Sequence, residues 1–596
     1  MILEKKIENE VVQYLTSLYG GDDWRELIHI QKTRSEFRGD ITIVVFPLLK
    51  KLKLPPHEAA SKIGEYLAGR MEEVRSFNVI KGFLNLEIEP SWWIKYLNRA
   101  IRSDFLSDSE TVKNVPPVLV EFSSPNTNKP LHLGHIRNNL LGFSISRILE
   151  AAGKPVKKVN LVNDRGIHIC KTMLAWQKWG NGQTPESAGV KGDHFVGSFY
   201  VMFEKALRGE IDNLKEEGFS EEEARKKAPL MEEAYEMLRK WEAGDSGTIE
   251  LWKTMNEWVY EGFEKTYVAL GVDFDKIYYE SETYKTGRKV VEEGLERGVL
   301  FKKDDGSVWA DLQDEGLGEK LLLRPDGTSV YITQDIGTAV IRQEDYNAGR
   351  MLYVVGNEQD YHFKVLQVIL RKIGYKWADN IKHISYGMVE LPEGKMKSRE
   401  GTVVDADDII AEMEQTAQKI SREHGKLDGV AEQDRQEVVK MIGLGALKYF
   451  ILKVDPKKNM LFNPDESIDF NGNTGPFIQY THARVCSLRR KCAGAGIIEK
   501  AESPFVNPGG KELDLLKMLY DFPAVLSEAA REYNPALIAN YVYELAKEYN
   551  QFYQDHPIIR GPDEDVRQFR LLLSVYTGKL IKDSMYLLGA DVPERM

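Results

Sequence analysis

The chain has 596 residues, a formal net charge of −12 at pH 7 and three cysteines. About 150 residues per domain is usual, so we expect three or four domains rather than one core. The acidic balance excludes a general nucleic-acid coat protein, which is usually basic, but leaves room for local basic patches. Cys170, Cys486 and Cys492 lack paired spacing, which predicts neither a zinc site nor a disulfide framework.

The distribution of apolar residues predicts neither a signal peptide nor a membrane-spanning segment. The N-terminus MILEKKIENEVV has no apolar segment of signal length, and no apolar run reaches the roughly 18 residues of a membrane span. We therefore expect a cytoplasmic protein with no membrane contact.

Residues 1–110 are predicted to form a separate α+β unit. A helix begins the chain, a strand-like ITIVVF starts at Ile41, a helix follows Pro56, and VIKGFLNLEI starts at Val79. None of these segments carries a catalytic pattern.

A strand–turn–helix unit opens the central region, which we place at 111–430. The apolar run PVLVEF covers 117–122, apolar residues recur at helical spacing from Ile136 to Leu149, and VKKVNLV at 156–162 reads as the next strand. The turn between the first strand and the helix, SSPNTNKPLHLGH, covers 123–135. These elements form one β-α-β unit.

The chemistry of this turn points to a nucleotide. A helix N-terminus offers free backbone N–H groups and a positive dipole end to an anion. His132 and His135 add donors that need no permanent charge, and Gly134 removes a side chain where a planar ligand would lie. An isolated HxGH turn is more often a capped helix start in which both histidines have internal hydrogen-bond partners. A second sequence element is therefore needed to distinguish a nucleotide site from such a turn.

The central region is interrupted at about 180–275 by charged, helix-forming sequence. We predict a helical insertion, because Met231, Tyr235, Leu238 and Trp241 form an apolar stripe. Strand–helix alternation then resumes with RMLYVVG from Arg350 and a helix at about 360–373. The two halves predict an α/β, doubly wound parallel sheet of Rossmann-like type, with the ligand at the carboxyl ends of the strands.

The second element is GKMKSREG at 394–401, a basic loop able to close over polyphosphate. Together, PLHLGH and KMKSR resemble the two signatures of class I aminoacyl-tRNA synthetases, and SSPNTNKPLHLGHIRNNLLG resembles the arginyl-tRNA synthetase form. From about 435 the pattern is mostly helical, which favours a bundle at 431–596. Its strings QYTHAR, YELAKEYNQFY and PERM resemble the anticodon-binding domain of that family.

The resemblance implies an arginine–tRNA ligase that uses ATP, L-arginine and the arginine tRNA, and that activates arginine only when the tRNA is present. Adenylate formation needs alignment and neutralisation of phosphate charge, so histidines and lysines suit it. His132, Gly134 and His135 are assigned to ATP, as are Lys395, Ser398 and Arg399 of the loop. The usual KMSKS is replaced here by KMKSR. The arginyl family commonly carries a lysine just upstream of the histidine motif instead, so the resemblance implies that Lys129 is a compensating charge. The residues leave open whether Lys129, Lys397 or Arg399 contacts the pyrophosphate.

The same resemblance implies an arginine pocket. A planar, forked guanidinium is matched by carboxylates and amide oxygens. The family's positions fall on Glu121, Asn126, Tyr331, Asp335 and Gln359, with Asp335 paired to the guanidinium. Mg²⁺ is expected with ATP, and no zinc. The spacing from His135 to Lys395 leaves no clear room for an editing domain, which fits a polar substrate.

Positions that contact tRNA are also implied. In the N-terminal unit, Phe83 and Asn85 stand where the family reads a D-loop base, although a core phenylalanine and a strand asparagine explain them about equally well. In the C-terminal bundle the corresponding positions are Phe477, Tyr480, Arg484 and Met596. We expect a monomer.

Two other classes of protein share parts of this pattern. A small-molecule nucleotidylyltransferase uses an HxGH turn, but such chains are shorter and lack a helical C-terminal third. A non-catalytic, synthetase-like tRNA-binding protein would not need His132, His135 and Lys395 together.

Overall fold

The computed structural model describes residues 3–21, 23–34, 36–103, 115–392, 404–423 and 431–596. Lys395, Ser398 and Arg399 lie outside them. The chain divides into two compact units, of which the first comprises Met1–Asp104, Leu488–Asp521 and Glu548–Thr577. The second comprises Phe105–Ser487, Phe522–Lys547 and Gly578–Met596. The predicted boundaries near 110 and 430 stay a prediction.

The N-terminal segment of the first unit is α+β, as expected. Its elements are α1 (Leu3–Tyr19), β1 (His29–Lys32), β2 (Ile41–Val44), α2 (Phe46–Leu52), α3 (Pro56–Arg70), β3 (Val74–Ile80), β4 (Phe83–Ile88) and α4 (Pro90–Arg102). The strands form an antiparallel sheet in the order β1-β2-β4-β3. The predicted strand ITIVVF is shorter than expected, because α2 begins at Phe46.

The second unit begins with the predicted β-α-β motif: β5 (Val118–Glu121), α5 (Leu133–Ala151) and β6 (Val156–Val162). The chain is then helical up to the next strand: α6 (Ile167–Trp179) precedes the range predicted for the insertion, which contains α7 (Pro185–Ala188), α8 (Gly192–Glu216), α9 (Glu221–Lys227), α10 (Pro229–Glu242) and α11 (Ser246–Leu270). The chain then returns through β7 (Lys276–Tyr279) and α12 (Glu280–Glu296), and a three-stranded antiparallel sheet follows from β8 (Phe301–Lys302), β9 (Val308–Asp311) and β10 (Glu319–Leu323).

The second half of the sheet domain contributes α13 (Tyr331–Tyr346), β11 (Arg350–Gly356), α14 (Asp360–Ile373) and β12 (Ile381–Tyr386). The central sheet is parallel throughout, in the order β12-β11-β5-β6-β7. Chain order therefore reverses between β5 and β11, where Glu121 pairs with Tyr353. In a doubly wound sheet the ligand crevice opens at the carboxyl ends of the strands beside this reversal.

The remaining elements are β13 (Val389–Glu390), α15 (Ala406–Glu423), α16 (Glu432–Leu452), β14 (Met460–Leu461), α17 (Pro464–Ser467), α18 (Gly475–Gly494), α19 (Gly510–Glu532), α20 (Pro535–Asp555) and α21 (Glu564–Leu587). This part of the chain is almost entirely helical, as predicted. Within the described residues, no helix is long and apolar enough to cross a membrane.

The apolar stripe predicted for the insertion is only half right. Met231 and Trp241 are buried on α10, but Tyr235 is 45% exposed. The buried face is completed by Ala234 and Met237, which follow the three- and four-residue helical spacing more closely. Tyr235 instead lines a cleft beside the central sheet.

Candidate functional site

The turn from β5 into α5 is built around its two histidines. His132 caps α5, and its Nδ1 accepts a hydrogen bond from Gly134 N at 3.1 Å. His135 Nδ1 accepts one from His132 N at 3.2 Å, and the ring centroids lie 3.9 Å apart. The two imidazoles thus satisfy the helix start reciprocally, as a serine and a glutamate do in a capping box.

The expectation of free backbone N–H groups at this helix start is wrong. The N–H groups of His132 and Gly134 donate to the histidine rings, and His135 N donates to His132 O at 2.7 Å. Leu133 N donates to Val404 O at 3.2 Å. An anion at this turn would therefore meet the side chains and the helix dipole, not unpaired amides.

Both histidines are neutral near pH 7. Burial lowers the pKa of His132 to about 4, against a small opposing effect from Asp405. Burial, with His132 and Lys129 nearby, holds the pKa of His135 well below its usual range. Because each Nδ1 accepts a backbone hydrogen, the remaining ring proton lies on Nε2. The turn therefore presents two uncharged Nε2–H donors.

Gly134 is required by the histidine itself. A Cβ there would lie 2.9 Å from His132 Cε1, closer than such atoms pack. The glycine thus makes room for the capping imidazole, a reason that the sequence did not reveal. Its predicted role at ATP stays a prediction.

The chain that follows the lysine loop is paired with this turn. Asp405 forms an antiparallel bridge with His132, and Ala406 N donates to Leu131 O at 3.0 Å. The chain that precedes the loop is held by the buried Arg137 of α5, which donates to Met388 O at 2.9 Å and to two further carbonyls. Both flanks of 393–403 are thus fastened to the turn or its helix.

A cleft of about 1690 Å³ opens beside the turn. Among the predicted residues, Asn126, Lys129 and Tyr331 line it, together with Glu280 at the start of α12. Burial lowers the pKa of Lys129. Burial raises the pKa of Glu280 to about 7; the nearby Arg165 opposes this effect, whereas Asp164 and Asp335 add to it. A further cation, in addition to Arg165, would be attracted to the ionised carboxylate of Glu280.

A strained backbone sets the position of Asn126. Ser123 and Ser124 both have positive φ, 80° and 45°, which non-glycine residues rarely adopt. Ser123 N donates to Asn138 Oδ1 at 2.5 Å, and Ser124 N donates to Asn160 Oδ1 at 3.0 Å. Buried amides from two elements therefore hold a conformation that costs energy, a feature typical of functional sites.

Glu121 is bound inside the protein. It is 5% exposed, its Oε2 pairs with the fully buried Arg342 of α13, and its Oε1 accepts from Ser124 Oγ at 3.0 Å. Arg342 also lies over the rings of Tyr278 and Tyr353. In this arrangement Glu121 ties the turn to α13, and its predicted contact with arginine stays a prediction.

Asp335 lies two turns before Arg342 on α13. Its Oδ2 is 2.6 Å from His362 Nε2 on α14, and both side chains are about four-fifths buried, with 22% and 23% exposed. Gln359 is exposed just beyond the carboxyl end of β11. Asp335 and Gln359 thus approach the sheet reversal from the second half of the fold, whereas Glu121 and Asn126 approach it from the first.

The two predicted D-loop residues differ in accessibility. Phe83 is half-buried and packs edge-on against Phe46, with centroids 5.4 Å apart. Asn85 is 1% exposed; its Oδ1 accepts from Thr42 Oγ1 at 2.7 Å and its Nδ2 donates to Asn78 at 3.0 Å. This geometry favours the alternative of a strand residue for Asn85.

The predicted anticodon positions share one helix and the chain end. Phe477, Tyr480 and Arg484 are half-buried on α18, and the guanidinium of Arg484 lies 5.0 Å from the Tyr480 ring centroid. The C-terminal segment runs along this helix, since Gln479 donates to Asp591 O at 2.8 Å and His482 to Pro593 O at 3.0 Å. Met596, half-buried, therefore ends near the same helix.

Among the described residues, one group has metal-ligand character. Ligand atoms of His194, Asp405 and Asp407 lie within 4.8 Å of one another. The Lys191 ammonium is 2.6 Å from Asp407 Oδ2 and already neutralises the group. The residues therefore do not fit a resident Mg²⁺.

Three known protein families match successive parts of the chain. Residues 98–463 match the family described as tRNA synthetases class I (R), catalytic domain. Residues 478–596 match the DALR anticodon binding domain, and residues 5–88 match the arginyl tRNA synthetase N terminal domain.

Full-length relatives exist among curated proteins and solved structures. Proteins named arginine–tRNA ligase from Parabacteroides distasonis and Bacteroides fragilis are 55% and 56% identical over 597 residues, covering all of both chains. The solved arginyl-tRNA synthetase of Thermus thermophilus is 25% identical, with a TM-score of 0.80 and both chains fully covered. That of Plasmodium falciparum, 20% identical with a TM-score of 0.77, covers all of this chain and shares its fold.

Proposed function

The chain belongs to the arginyl-tRNA synthetase family of class I, and from this membership we propose how its residues divide the reaction. It is an arginine–tRNA ligase: ATP, arginine and the arginine tRNA give arginyl-tRNA, AMP and pyrophosphate. The proposal concerns which side chains contact each substrate.

The ATP phosphates are assigned to the histidine turn. The observation that carries this assignment is the pair of neutral imidazoles whose Nδ1 atoms are fixed by backbone N–H groups. Their Nε2–H donors are thereby held in place before the substrate arrives, the arrangement that stabilises charge developing on phosphate oxygens. Lys129, half-buried beside them, supplies the positive charge.

Arginine is assigned to the space between Asn126, Tyr331 and Asp335. Asp335 supplies the carboxylate that faces the guanidinium, and we add Glu280 as a second one. Glu280 supports this role because it is 8% exposed, lines the same cleft as Tyr331 and has a pKa of about 7. A bound guanidinium would lower that pKa by direct charge attraction.

The chemistry has two displacements. A carboxylate oxygen of arginine bonds to the α-phosphorus while the bond to the bridging oxygen of pyrophosphate breaks. The hydroxyl of the terminal adenosine of the tRNA then bonds to the arginyl carbonyl carbon, loses its proton, and AMP leaves. No step uses a covalent bond to the protein, so alignment and charge stabilisation provide the catalysis.

Mg²⁺ would enter with ATP, because this ion is commonly held by substrate phosphates rather than by a protein cage. The monomeric state and the cytoplasmic location stay predictions. A nucleotidylyltransferase is disfavoured, since the curated ligases match this chain over its whole length.

We expect ATP–pyrophosphate exchange to respond to arginine alone among the standard amino acids, and only when arginine tRNA is present. Each amino acid would be tested with and without bulk tRNA. Exchange with another amino acid would contradict the substrate assignment. Robust exchange with arginine in the absence of tRNA would contradict the predicted tRNA requirement and leave the substrate assignment intact.

A further inference from the structure

The first turns of α8 lie against the histidine turn. A Cβ on Gly197 would come within 2.8 Å of Pro130 Cδ and 3.5 Å of Lys129 Cα, so the backbone of this helix touches the turn directly. Lys191, which caps α8, and His194 stand six and three residues before Gly197. The three-residue spacing places His194 beside Gly197 on the helix surface, and Lys191 precedes the first helical turn.

The side chains of Lys191 and His194 contact two carboxylates on the chain that follows the lysine loop. His194 Nε2 lies 3.1 Å from Asp407 Oδ2 and 3.3 Å from Asp405 Oδ2. Lys191 Nζ lies 2.6 Å from Asp407 Oδ2 and 3.2 Å from the fully buried Asp193. Thr266 Oγ1 of α11 donates to Asp407 Oδ1 at 2.9 Å. Two cations thus face three carboxylates.

His194 is positively charged in this setting. Its hydrogen bonds with Asp405 and Asp407 raise its pKa to about 10, outweighing burial. Burial alone would raise the pKa of Asp407, but hydrogen bonds from His194 and Lys191 hold it well below its usual range.

Asp405 connects the cluster to the reaction site. It bridges His132 in antiparallel geometry, so the two side chains emerge on the same face of the bridge, with Cβ atoms roughly 5 Å apart in such pairs. Its negative charge acts on the His132 ring. An unneutralised carboxylate in this position would repel the phosphates of ATP.

We propose that Lys191 and His194 of the helical insertion are positioning residues for ATP. They act through Asp405 and Asp407: they fasten residues 404–406 against the histidine turn and offset the negative charges of these two carboxylates beside His132. The insertion thereby contributes to the ATP site without touching ATP. This inference rests on the proposed placement of the phosphates at the histidine turn.

The test separates charge from structure. His194→Gln keeps an Nε2–H donor at nearly the same position but removes the charge. We expect the KM for ATP to rise about tenfold, equivalent to roughly 1.4 kcal/mol, while the KM for arginine changes less than about twofold. Lys191→Met should show the same selectivity. The readout is aminoacylation kinetics at saturating tRNA, with thermal unfolding to confirm folding.

A rescue variant and a matched control complete the experiment. His194→Gln combined with Asp405→Asn removes the unpaired carboxylate and should return the KM for ATP to within about threefold of the parent. Lys178→Met, which breaks an exposed pair between α6 and Glu233 of α10, should leave both KM values unchanged. The proposal is overturned if His194→Gln leaves the KM for ATP unchanged, if both KM values rise together, or if the double variant shows no recovery. His135→Ala with normal activity would instead remove the phosphate placement itself.

Discussion

Replacing His135 by alanine should slow adenylate formation by roughly 100- to 1000-fold, because one preorganised donor to a developing oxyanion is commonly worth that much. Affinity for the tRNA should change less than about twofold, since His135 belongs to the turn assigned to ATP. The measurement is single-turnover adenylate formation in the presence of arginine tRNA, with tRNA binding followed separately.

The two ring nitrogens of His135 have different tasks, and two further variants separate them. His135→Asn restores an acceptor near Nδ1 and should rebuild the cap at His132 N, which is worth about 1 kcal/mol. It lacks the Nε2–H donor, so it should fold like the parent and react as slowly as the alanine variant. His135→Gln places an amide N–H near Nε2 and should recover part of the rate.

If His135→Asn formed the adenylate at the rate of the parent, His135 would not act as an Nε2–H donor in the reaction, and capping of α5 would be its remaining role. His57→Ala is the matched control, because His57 is an exposed histidine on α3 with no assigned role. It should behave as the parent in both assays.

Replacing Asp335 by alanine should lower kcat/KM for arginine by roughly 30- to 150-fold, about 2 to 3 kcal/mol. This is near the lower end for loss of one partner of a buried charge pair, because the Asp335 side chain is 22% exposed. The KM for ATP should change less than about threefold. Steady-state aminoacylation with each substrate varied in turn provides the measurement.

Asp335 also contacts His362, so two further variants distinguish a contact with the substrate from a contact inside the protein. Asp335→Asn keeps an acceptor for His362 at similar geometry but removes the charge. Its kcat/KM for arginine should fall nearly as far as that of the alanine variant. His362→Gln keeps the Asp335 carboxylate, so its kcat/KM for arginine should fall much less than that of the Asp335 variants. If His362→Gln reproduced the full loss, Asp335 would act by holding His362 rather than by binding arginine.

The strands and helices around the turn were predictable because their signals are local. Apolar runs and helical apolar spacing placed the ends of β5, α5 and β6 within three residues, and strand–helix alternation predicted that the strands of the central sheet are parallel. Polar strands gave weaker signals. The predicted segment VIKGFLNLEI contains only the last two residues of the strand Val74–Ile80, sequence VRSFNVI. The polar residues of this strand obscure the alternation of apolar and polar positions.

The internal partners of the site could not be predicted, because they come from distant parts of the chain. Arg342 reaches Glu121 across 221 positions, and His194 reaches Asp407 across 213. No local motif marks these residues. The use of the helix N–H groups by the histidine rings matches the capped turn that the sequence offered as an alternative, but the spacing HxGH alone is compatible with either a capped or an open helix start. His362 had a weak signal, as it ends the string NEQDYH that carries Gln359.

The central claim is that one turn and the facing start of α13 address both halves of the adenylate. A crystal structure with a non-hydrolysable arginyl-adenylate analogue, in which a sulfamoyl group replaces the phosphate, tests it most directly. The account predicts an oxygen of that group about 2.7 to 3.2 Å from Nε2 of His132 or His135, and the guanidinium within about 4 Å of the Asp335 carboxylate. An analogue bound with its guanidinium away from Asp335, or with both Nε2 atoms facing no ligand atom, would contradict it.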